Sequence, residues 1–188
     1  MKLILVGHPG SQRIVPASKY LVKKYLPKLE TIYLNYKGGI NGWGTYVAKF
    51  LDYLTDDKVI LALDDYLVAG PIDEKIYQEA KEAIGGALVN AKLCECSQQE
   101  QEEYPCTTQY TIWDRYYLIE LLLHTYTPWR FEIEGSKIMK SAGAQSISRP
   151  CIPYFTNSSL SSRWEGVRLD GLSQEDLNYI KENGLIIG

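Results

Sequence analysis

A continuous apolar run, residues 59–63, ends in two adjacent carboxylates, Asp64 and Asp65. A run of this kind is typical of a buried strand in an α/β sheet, and such sheets bind ligands at the carboxyl ends of their strands. Because an unpaired buried charge is very costly, the couplet must contact solvent, a cationic side chain or a metal ion. Mg²⁺ and Mn²⁺ favour carboxylate oxygens and bridge to substrate phosphates, whereas a helix cap or a turn is the alternative role.

Strand and helix patterns alternate over the first 93 residues. Apolar or β-prone segments predict strands at residues 2–7, 30–36, 59–63 and about 87–93. Amphipathic segments between them predict helices at about 16–26, 45–54 and 73–84. This alternation is typical of βαβ units with a largely parallel sheet.

The later half of the chain is less regular. Residues 106–112 are β-prone, helices are predicted at about 114–123 and 128–140, and the polar segment 97–103 is expected to be a solvated loop. The last helix has the clearest boundaries, because Ser173 and Asp176 form a capping box and Gly184 provides a stop. No linker divides the chain, so we expect one domain over residues 1–188.

Composition limits the classes of partner. The formal net charge of −3 gives no electrostatic reason for strong nonspecific nucleic-acid binding. No apolar run approaches the roughly 18 residues of a membrane span. The four cysteines lack the paired spacing of a zinc site, and Cys94 and Cys96 would share one face of a strand, so core packing is expected. A reducing, cytoplasmic compartment is the simplest expectation.

Three segments carry a resemblance to a known family. Asp64–Leu67 follows an apolar strand, Gln109–Trp113 leads into a helix, and Thr127–Ser136 follows that helix. Their order and spacing resemble a group of small nucleotide-sugar-dependent glycosyltransferases of the GT-A type, found in bacteria and phages. The early segment 20–27 and the late segment 162–165 also fit this group. The second acidic residue of the usual Asp-x-Asp signature is absent, since Tyr66 follows the couplet.

The resemblance implies a GT-A-like, Rossmann-like α/β domain with a largely parallel central sheet flanked by helices. Residues 1–93 would form the nucleotide-sugar-binding half, and residues 94–188 the acceptor-side half. A Mn²⁺ or Mg²⁺ ion would assist, with Asp65 as a direct ligand and Asp64 holding a metal-bound water or the donor's ribose.

The nucleotide would lie near the loop that follows the first strand. Gly7 permits close backbone approach, His8 follows it, and Trp43 could stack on a base. Alternatively, His8 caps the loop and Trp43 packs beneath it. Arg163 could reach a diphosphate as a positive clamp.

An inverting transfer also needs a carboxylate that takes the proton of the acceptor hydroxyl. Glu132 is the leading candidate, and Asp114 and Glu134 are its rivals. On a helix Glu132 and Glu134 point about 200° apart, so only one of them should face the cleft. Alternatively, Glu132 pairs with Arg130 or stabilises the first turn of the helix.

Trp113 and Trp129 could form a platform for a sugar ring, or they could be core residues. The expected partners are a nucleotide-sugar donor and a carbohydrate or small-molecule acceptor, with a modified nucleic acid as a second acceptor class. The leading hypothesis is therefore a metal-assisted glycosyltransferase. The alternative is a non-catalytic nucleotide- or sugar-binding domain of the same fold, which the incomplete acidic signature favours.

Overall fold

The computed structural model describes residues 1–7, 11–95, 97–156, 169 and 171–186. The strands are β1 (Lys2–Gly7), β2 (Glu30–Asn35), β3 (Lys58–Leu63), β4 (Tyr66–Val68), β5 (Leu88–Lys92), β6 (Thr111–Asp114), β7 (Gln145–Ser148) and β8 (Tyr154–Thr156). The helices are α1 (Val15–Tyr25), α2 (Trp43–Asp52), α3 (Glu74–Ala83), α4 (Gln98–Glu103), α5 (Arg115–His124), α6 (Pro128–Ser141) and α7 (Gln174–Glu182). No helix among the described residues is long and apolar enough to span a bilayer.

Six strands form the central sheet in the order β2-β1-β3-β6-β5-β7. Five of them run in one direction, and β6 alone is antiparallel to its neighbours β3 and β5. A second, two-stranded sheet pairs β4 with β8. The expectation of an α/β fold with a largely parallel sheet is therefore confirmed.

The central strands are buried on both faces because helices cover both. In β1, Leu3 and Leu5 pack against α1 and α3, whereas Ile4 and Val6 pack against α2, α5 and α6. Successive side chains of a strand point to opposite faces, so an uninterrupted apolar run is required here. The edge strands β2 and β7 have no such requirement, and their burial is partial.

One local expectation was wrong. Residues 98–103, predicted as a loop, form α4. Ser97 and Glu100 make a reciprocal capping box, and Gln98 and Gln99 each donate a hydrogen bond to the glutamate four residues later. These local hydrogen bonds stabilise a short helix that has no apolar periodicity.

The described cysteines 94, 106 and 151 are buried and form no disulfide with one another, whereas Cys96 lies outside the described residues. Burial raises the pKa of the Cys151 thiol to about 12, and it raises the pKa of Cys106 as well. Both groups are therefore neutral thiols near pH 7, which agrees with a packing role.

A buried carboxylate joins the last helix to the first. Asp176, in the first turn of α7, is fully buried and accepts hydrogen bonds from the side chains of Tyr20, Lys24, Tyr25 and Ser173. Burial alone would raise the pKa of Asp176, but the hydrogen bonds from Lys24, Tyr25 and the other donors outweigh it and lower the pKa below its usual value. The carboxylate is therefore ionised in the folded protein at neutral pH.

We expect Asp176→Asn to lower the free energy of unfolding by about 2 kcal/mol, because the amide loses charged hydrogen bonds in a buried place. Since folding lowers the pKa of Asp176, its stabilisation is complete above the unfolded pKa of about 3.9 and is lost as the pH falls through the folded value. Thermal unfolding between pH 7 and pH 3 should show this acid dependence in the parent and a weaker one in the variant.

Glu175→Gln is the matched control, because Glu175 contacts the same Lys24 but its side chain is largely exposed. Its effect should stay within about 0.5 kcal/mol. Equal destabilisation by the two variants would contradict the role assigned to Asp176.

Candidate active site

The acidic couplet lies at the carboxyl edge of the central sheet. β3 ends at Leu63, and the next residue, Asp64, still donates its backbone N–H to Val6 of β1 at 3.2 Å. Asp64 is only 2% exposed and Asp65 only 5% exposed. The chain thus carries two carboxylates into a nearly buried position at the end of its central strands.

Gly7 makes room for the first of these carboxylates. A Cβ atom built on Gly7 would lie 2.6 Å from Oδ2 of Asp64, closer than real contacts allow. The two residues are neighbours because β1 and β3 are parallel and Val6 pairs with Leu63. Gly7 was expected to permit a close approach, and the group that approaches it is the Asp64 side chain.

A cavity of about 320 Å³ lies beside Gly7 and Asp64. It is enclosed by the ends of β1 and β2 and the first turns of α1, and its lining residues are Leu5, Gly7, Gln12, Val15, Pro16, Lys19, Tyr33, Leu34, Asn35 and Asp64. The volume is within the range of small-ligand sites, which are mostly apolar with a few polar groups.

Apart from Asp64, the polar groups of this cavity come from residues that sequence reasoning did not select. The Lys19 ammonium lies 4.9 Å from the centre of the Tyr33 ring, which places a cation on the α1 side of the cavity. Burial and then the negative charge of Asp64 raise the pKa of Tyr33, so its hydroxyl is protonated at neutral pH. The available signal was positional, since Lys19 lies one helical turn after Val15 and Asn35 ends the neighbouring parallel strand.

Glu132 lies at the same edge of the sheet, on the side of β6. Its Oε1 accepts hydrogen bonds from the Thr108 backbone N–H at 2.9 Å, the Thr108 hydroxyl at 2.7 Å and the Thr107 hydroxyl at 3.3 Å. The Thr108 carbonyl in turn accepts the N–H of Leu63, the residue before the couplet. These contacts hold the Glu132 carboxylate in one orientation.

Tyr66 connects the couplet with Glu132. Burial raises the pKa of its hydroxyl, and the negative charges of Glu132 and then Asp65 raise it further, against the effect of a hydrogen bond with Thr108. The Tyr66 side chain therefore lies within the electrostatic reach of both carboxylates. Its own carbonyl accepts a hydrogen bond from the buried Tyr110 hydroxyl at 3.0 Å.

Glu134, the second glutamate of α6, points elsewhere. It is only partly buried and lies 3.8 Å from Arg130 across one turn of the helix. The structure therefore brings Glu132, and not Glu134, to the edge that carries the couplet, as the helical spacing requires.

Asp114 lies at the opposite edge of the sheet. It pairs with Lys58 at the start of β3, and it caps α5 by accepting the backbone N–H of Tyr117. Six residues of strand separate Lys58 from Asp64, which corresponds to about 20 Å. The expectation that Asp114 could share the site is therefore corrected. Because β6 runs antiparallel to β3, the last residue of β6 lies at the edge opposite the couplet.

Trp43 is a core residue. It is 1% exposed and makes an edge-on contact with Phe131, at 6.0 Å between ring centres. The expectation that it stacks on a nucleotide base is corrected by this burial, since Trp43 packs beneath the edge and does not line the cavity. Trp113 is fully buried against the same Phe131, whereas Trp129 is exposed on α6.

Two further expected site residues, His8 and Arg163, lie outside the described residues.

The couplet fits a divalent cation that is only partly coordinated by protein. No group of three or more His, Cys, Asp or Glu side chains with metal-binding spacing occurs in the part of the chain that the structure describes. Mg²⁺ and ions like it are often held by one or two carboxylates together with substrate phosphates and water. A cavity lined by Asp64, with Asp65 next to it in the chain and Gly7 leaving space for the Asp64 carboxylate, agrees with that arrangement.

No protein-family model and no curated protein matches the chain. Solved structures do match, among them a cytidylyltransferase from Leptospira borgpetersenii, with 12% identity over 98% of this chain and 95% of that chain and a TM-score of 0.52. A mannosyltransferase from Pyrobaculum calidifontis, solved with GDP-Man and Mn²⁺, is 9% identical over 85% of this chain and 57% of that chain, with a TM-score of 0.55.

A third match is a glycosyltransferase involved in glycosylating the major capsid of PBCV-1, with 15% identity over 79% of this chain and 81% of that chain and a TM-score of 0.51. At such identities the likeness shows the fold. The resemblance to GT-A-type enzymes is therefore confirmed at the level of the fold, which this chain shares with both nucleotidyl- and glycosyltransferases.

We expect Gly7→Ala to lower the free energy of unfolding by about 1–3 kcal/mol, because the added methyl group must displace the buried Asp64 carboxylate. Gly39→Ala is the matched control, since a Cβ at Gly39 meets nothing within 4 Å. Chemical unfolding of both variants measures the difference. A Gly7→Ala protein as stable as the control would show that the two groups are not in close contact.

Proposed function

We propose that this protein is a glycosyltransferase that moves a sugar from a nucleotide-activated donor to an acceptor hydroxyl, with assistance from a divalent metal ion. The observation that carries the proposal is the arrangement at one edge of the sheet. A small-ligand cavity lies on one side of Asp64, and the anchored Glu132 carboxylate lies on the other side of the couplet.

The donor is assigned to the cavity beside β1 and β2. Its apolar lining suits a nucleoside, and Lys19 offers a cation to a phosphate group. Asp65 and Asp64 would hold Mn²⁺ or Mg²⁺, and that ion, when bound, neutralises the charge on the departing diphosphate. The cavity and couplet belong to residues 1–93, the half expected to bind the nucleotide sugar.

The acceptor is assigned to the side of Glu132, within residues 94–188. In an inverting transfer the acceptor oxygen forms a bond to the anomeric carbon as the bond to the diphosphate oxygen breaks. The hydroxyl proton goes to the Glu132 carboxylate, which acts as general base. The hydrogen bonds from Thr107 and Thr108 hold Oε1 in place, so the carboxylate is already oriented before the acceptor binds.

Nucleotidyl transfer is a second candidate function. The likeness to the cytidylyltransferase covers 98% of this chain and 95% of that chain, whereas the likeness to the mannosyltransferase spans only 57% of that chain. In this reaction a sugar phosphate or sugar hydroxyl attacks the α-phosphate of a nucleoside triphosphate and releases pyrophosphate. The same couplet and cavity would serve it.

One assay pair separates these functions. The protein is incubated with Mn²⁺ and a set of UDP- and GDP-sugars while release of nucleoside diphosphate is measured, and separately with nucleoside triphosphates and sugar 1-phosphates while pyrophosphate is measured. Diphosphate release supports the glycosyltransferase. Pyrophosphate release alone overturns it in favour of nucleotidyl transfer, and nucleotide binding without turnover in either assay overturns it in favour of a binding domain.

We expect Asp65→Asn to weaken Mn²⁺-dependent nucleotide binding by at least roughly 10–100-fold, because loss of even an indirect metal partner has an effect of that size. Calorimetric titration of nucleoside diphosphate with and without Mn²⁺ measures it. Asp57→Asn, an exposed carboxylate just before the opposite end of β3, is the matched control and should bind as the parent does. Unchanged binding by the Asp65 variant would exclude the metal role.

We expect Glu132→Gln to keep donor binding and to lower the rate of transfer by about 10²–10⁴-fold, since the amide cannot accept the hydroxyl proton. Glu134→Gln, on the same helix but paired with Arg130, should retain the parental rate. Steady-state rates and donor affinity are measured for both. A rate loss in the Glu134 variant, with normal turnover in the Glu132 variant, would contradict the assignment.

A further inference from the structure

Three exposed aromatic side chains lie at the edge of the sheet that carries the couplet. Tyr46 is 39% exposed, Tyr126 47% and Trp129 50%. α2 and α6 each run antiparallel to the strand that follows them, so both begin at this edge, and the α5–α6 connection is there as well. Tyr46 turns away from the other two, since its ring contacts that of Tyr36 at 5.1 Å between centres. We call Tyr126 and Trp129 the aromatic rim.

A close backbone contact with α2 positions the connection that carries Tyr126. The Gly44 N–H, in the first turn of α2, donates to the Tyr126 carbonyl at 3.3 Å. A Cβ on Gly44 would clash with the carbonyl oxygens of Leu122 and Thr125, so only glycine allows α2 to approach the end of α5 this closely. Tyr126 and Trp129 are three residues apart in the chain, so the two rings of the rim belong to the α5–α6 connection and the first turn of α6.

The rim also adjoins the proposed base. Trp129 and Glu132 are three residues apart on α6, and residues with that spacing are neighbours on a helix surface. Helical side chains lean toward the N-terminus of their helix, which here directs Trp129 toward the edge that carries the couplet. A ligand stacked on Trp129 therefore has one end near the Glu132 carboxylate.

The connection that leads to the rim has no charged side chain other than a histidine, and Arg130, the first charged residue after it, lies 3.8 Å from Glu134. Residues 38–48 and 121–129 contain no Asp, Glu, Lys or Arg. A surface that binds nucleic acid needs Lys or Arg to neutralise phosphates. Aromatic faces without such charges suit uncharged ligands that present apolar C–H groups and hydroxyls, and sugar rings have this chemistry.

We propose that the acceptor is a neutral oligosaccharide that stacks on the aromatic rim and directs a terminal hydroxyl toward Glu132. The rings of Tyr126 and Trp129 offer exposed aromatic faces on which sugar rings can stack. This inference rests on the proposed function, because it specifies the acceptor of that reaction.

The test measures oligosaccharide binding without donor or metal. Maltose-, cellobiose- and mannobiose-series oligosaccharides are titrated against the full chain, with tryptophan fluorescence and calorimetry as readouts. Trp129→Ala should weaken binding by about tenfold, and Tyr126→Ala should weaken it in the same direction. Trp129→Phe, which keeps an aromatic face, should recover part of the affinity.

Tyr53→Ala is the matched control, because Tyr53 is 86% exposed but lies at the other end of α2. It should leave binding unchanged. Thermal unfolding of each variant shows whether the fold is kept, which we expect because all these side chains are on the surface.

The outcomes also separate this inference from the proposed function. Asp65→Asn should lose donor binding and keep oligosaccharide binding. If none of the oligosaccharides binds, if Trp129→Ala binds as well as Tyr53→Ala, or if single-stranded nucleic acid binds in their place, the inference is overturned while the glycosyltransferase proposal stands. If oligosaccharides bind through Trp129 but no nucleotide binds, the proposed function fails and the carbohydrate surface remains.

Discussion

The site depends on the contact between the Asp64 carboxylate and the backbone of Gly7. β1 and β3 are parallel neighbours, so their ends coincide and the residues that follow them meet. Any side chain at position 7 would occupy the space of Oδ2 of Asp64. The carboxylate consequently lies beside the end of β1, where it lines the same cavity as Lys19 and Tyr33. Glycine at position 7 thus allows the Asp64 carboxylate and a cavity of ligand size to lie at the same edge of the sheet.

The reversed direction of β6 determines what lies on the other side of the couplet. Because β6 is antiparallel to β3, it begins at the edge where β3 ends, and the residues that lead into it lie beside Leu63. Thr107 and Thr108 belong to this segment and hold Glu132. The same reversal sends Asp114 to the far edge. A strand parallel to β3 would have exchanged these positions and brought the residue that caps α5 to the couplet.

The sequence predicts the fold correctly where a local pattern of apolar residues strongly favours one type of secondary structure. The apolar run before Asp64 is typical of a strand buried on both faces, and β3 confirms that expectation and carries the carboxylates to one edge of the sheet. The features that sequence reasoning missed depend on information that no local pattern contains. The direction of β6 follows from tertiary packing, so Asp114 was placed at the wrong edge.

The sequence does not show whether a tryptophan such as Trp43 stacks on a ligand or fills a core. Its contact with Phe131 shows that Trp43 is a core residue. Lys19 lies on an amphipathic helix like any other surface lysine, and the cavity beside it is formed by three elements distant in sequence.

In the structure, a tyrosine that belongs to a strand occupies the position of the missing second acidic residue. Tyr66, which occupies the position after the couplet, begins β4, and this strand pairs with β8. Its ring packs against that of Tyr154 at 5.6 Å between centres. A third carboxylate at this position would lie near both Asp65 and Glu132. Burial is the main cause of the raised pKa of the Tyr66 hydroxyl, and the negative charges of Glu132 and Asp65 raise it further. Such a cluster would favour protonation of one of its members at neutral pH, whereas a neutral tyrosine leaves the couplet and Glu132 free of that repulsion. Under the proposed function the missing oxygen ligands would come from the donor's diphosphate and from water, which is the usual arrangement for Mg²⁺ held by only two carboxylates.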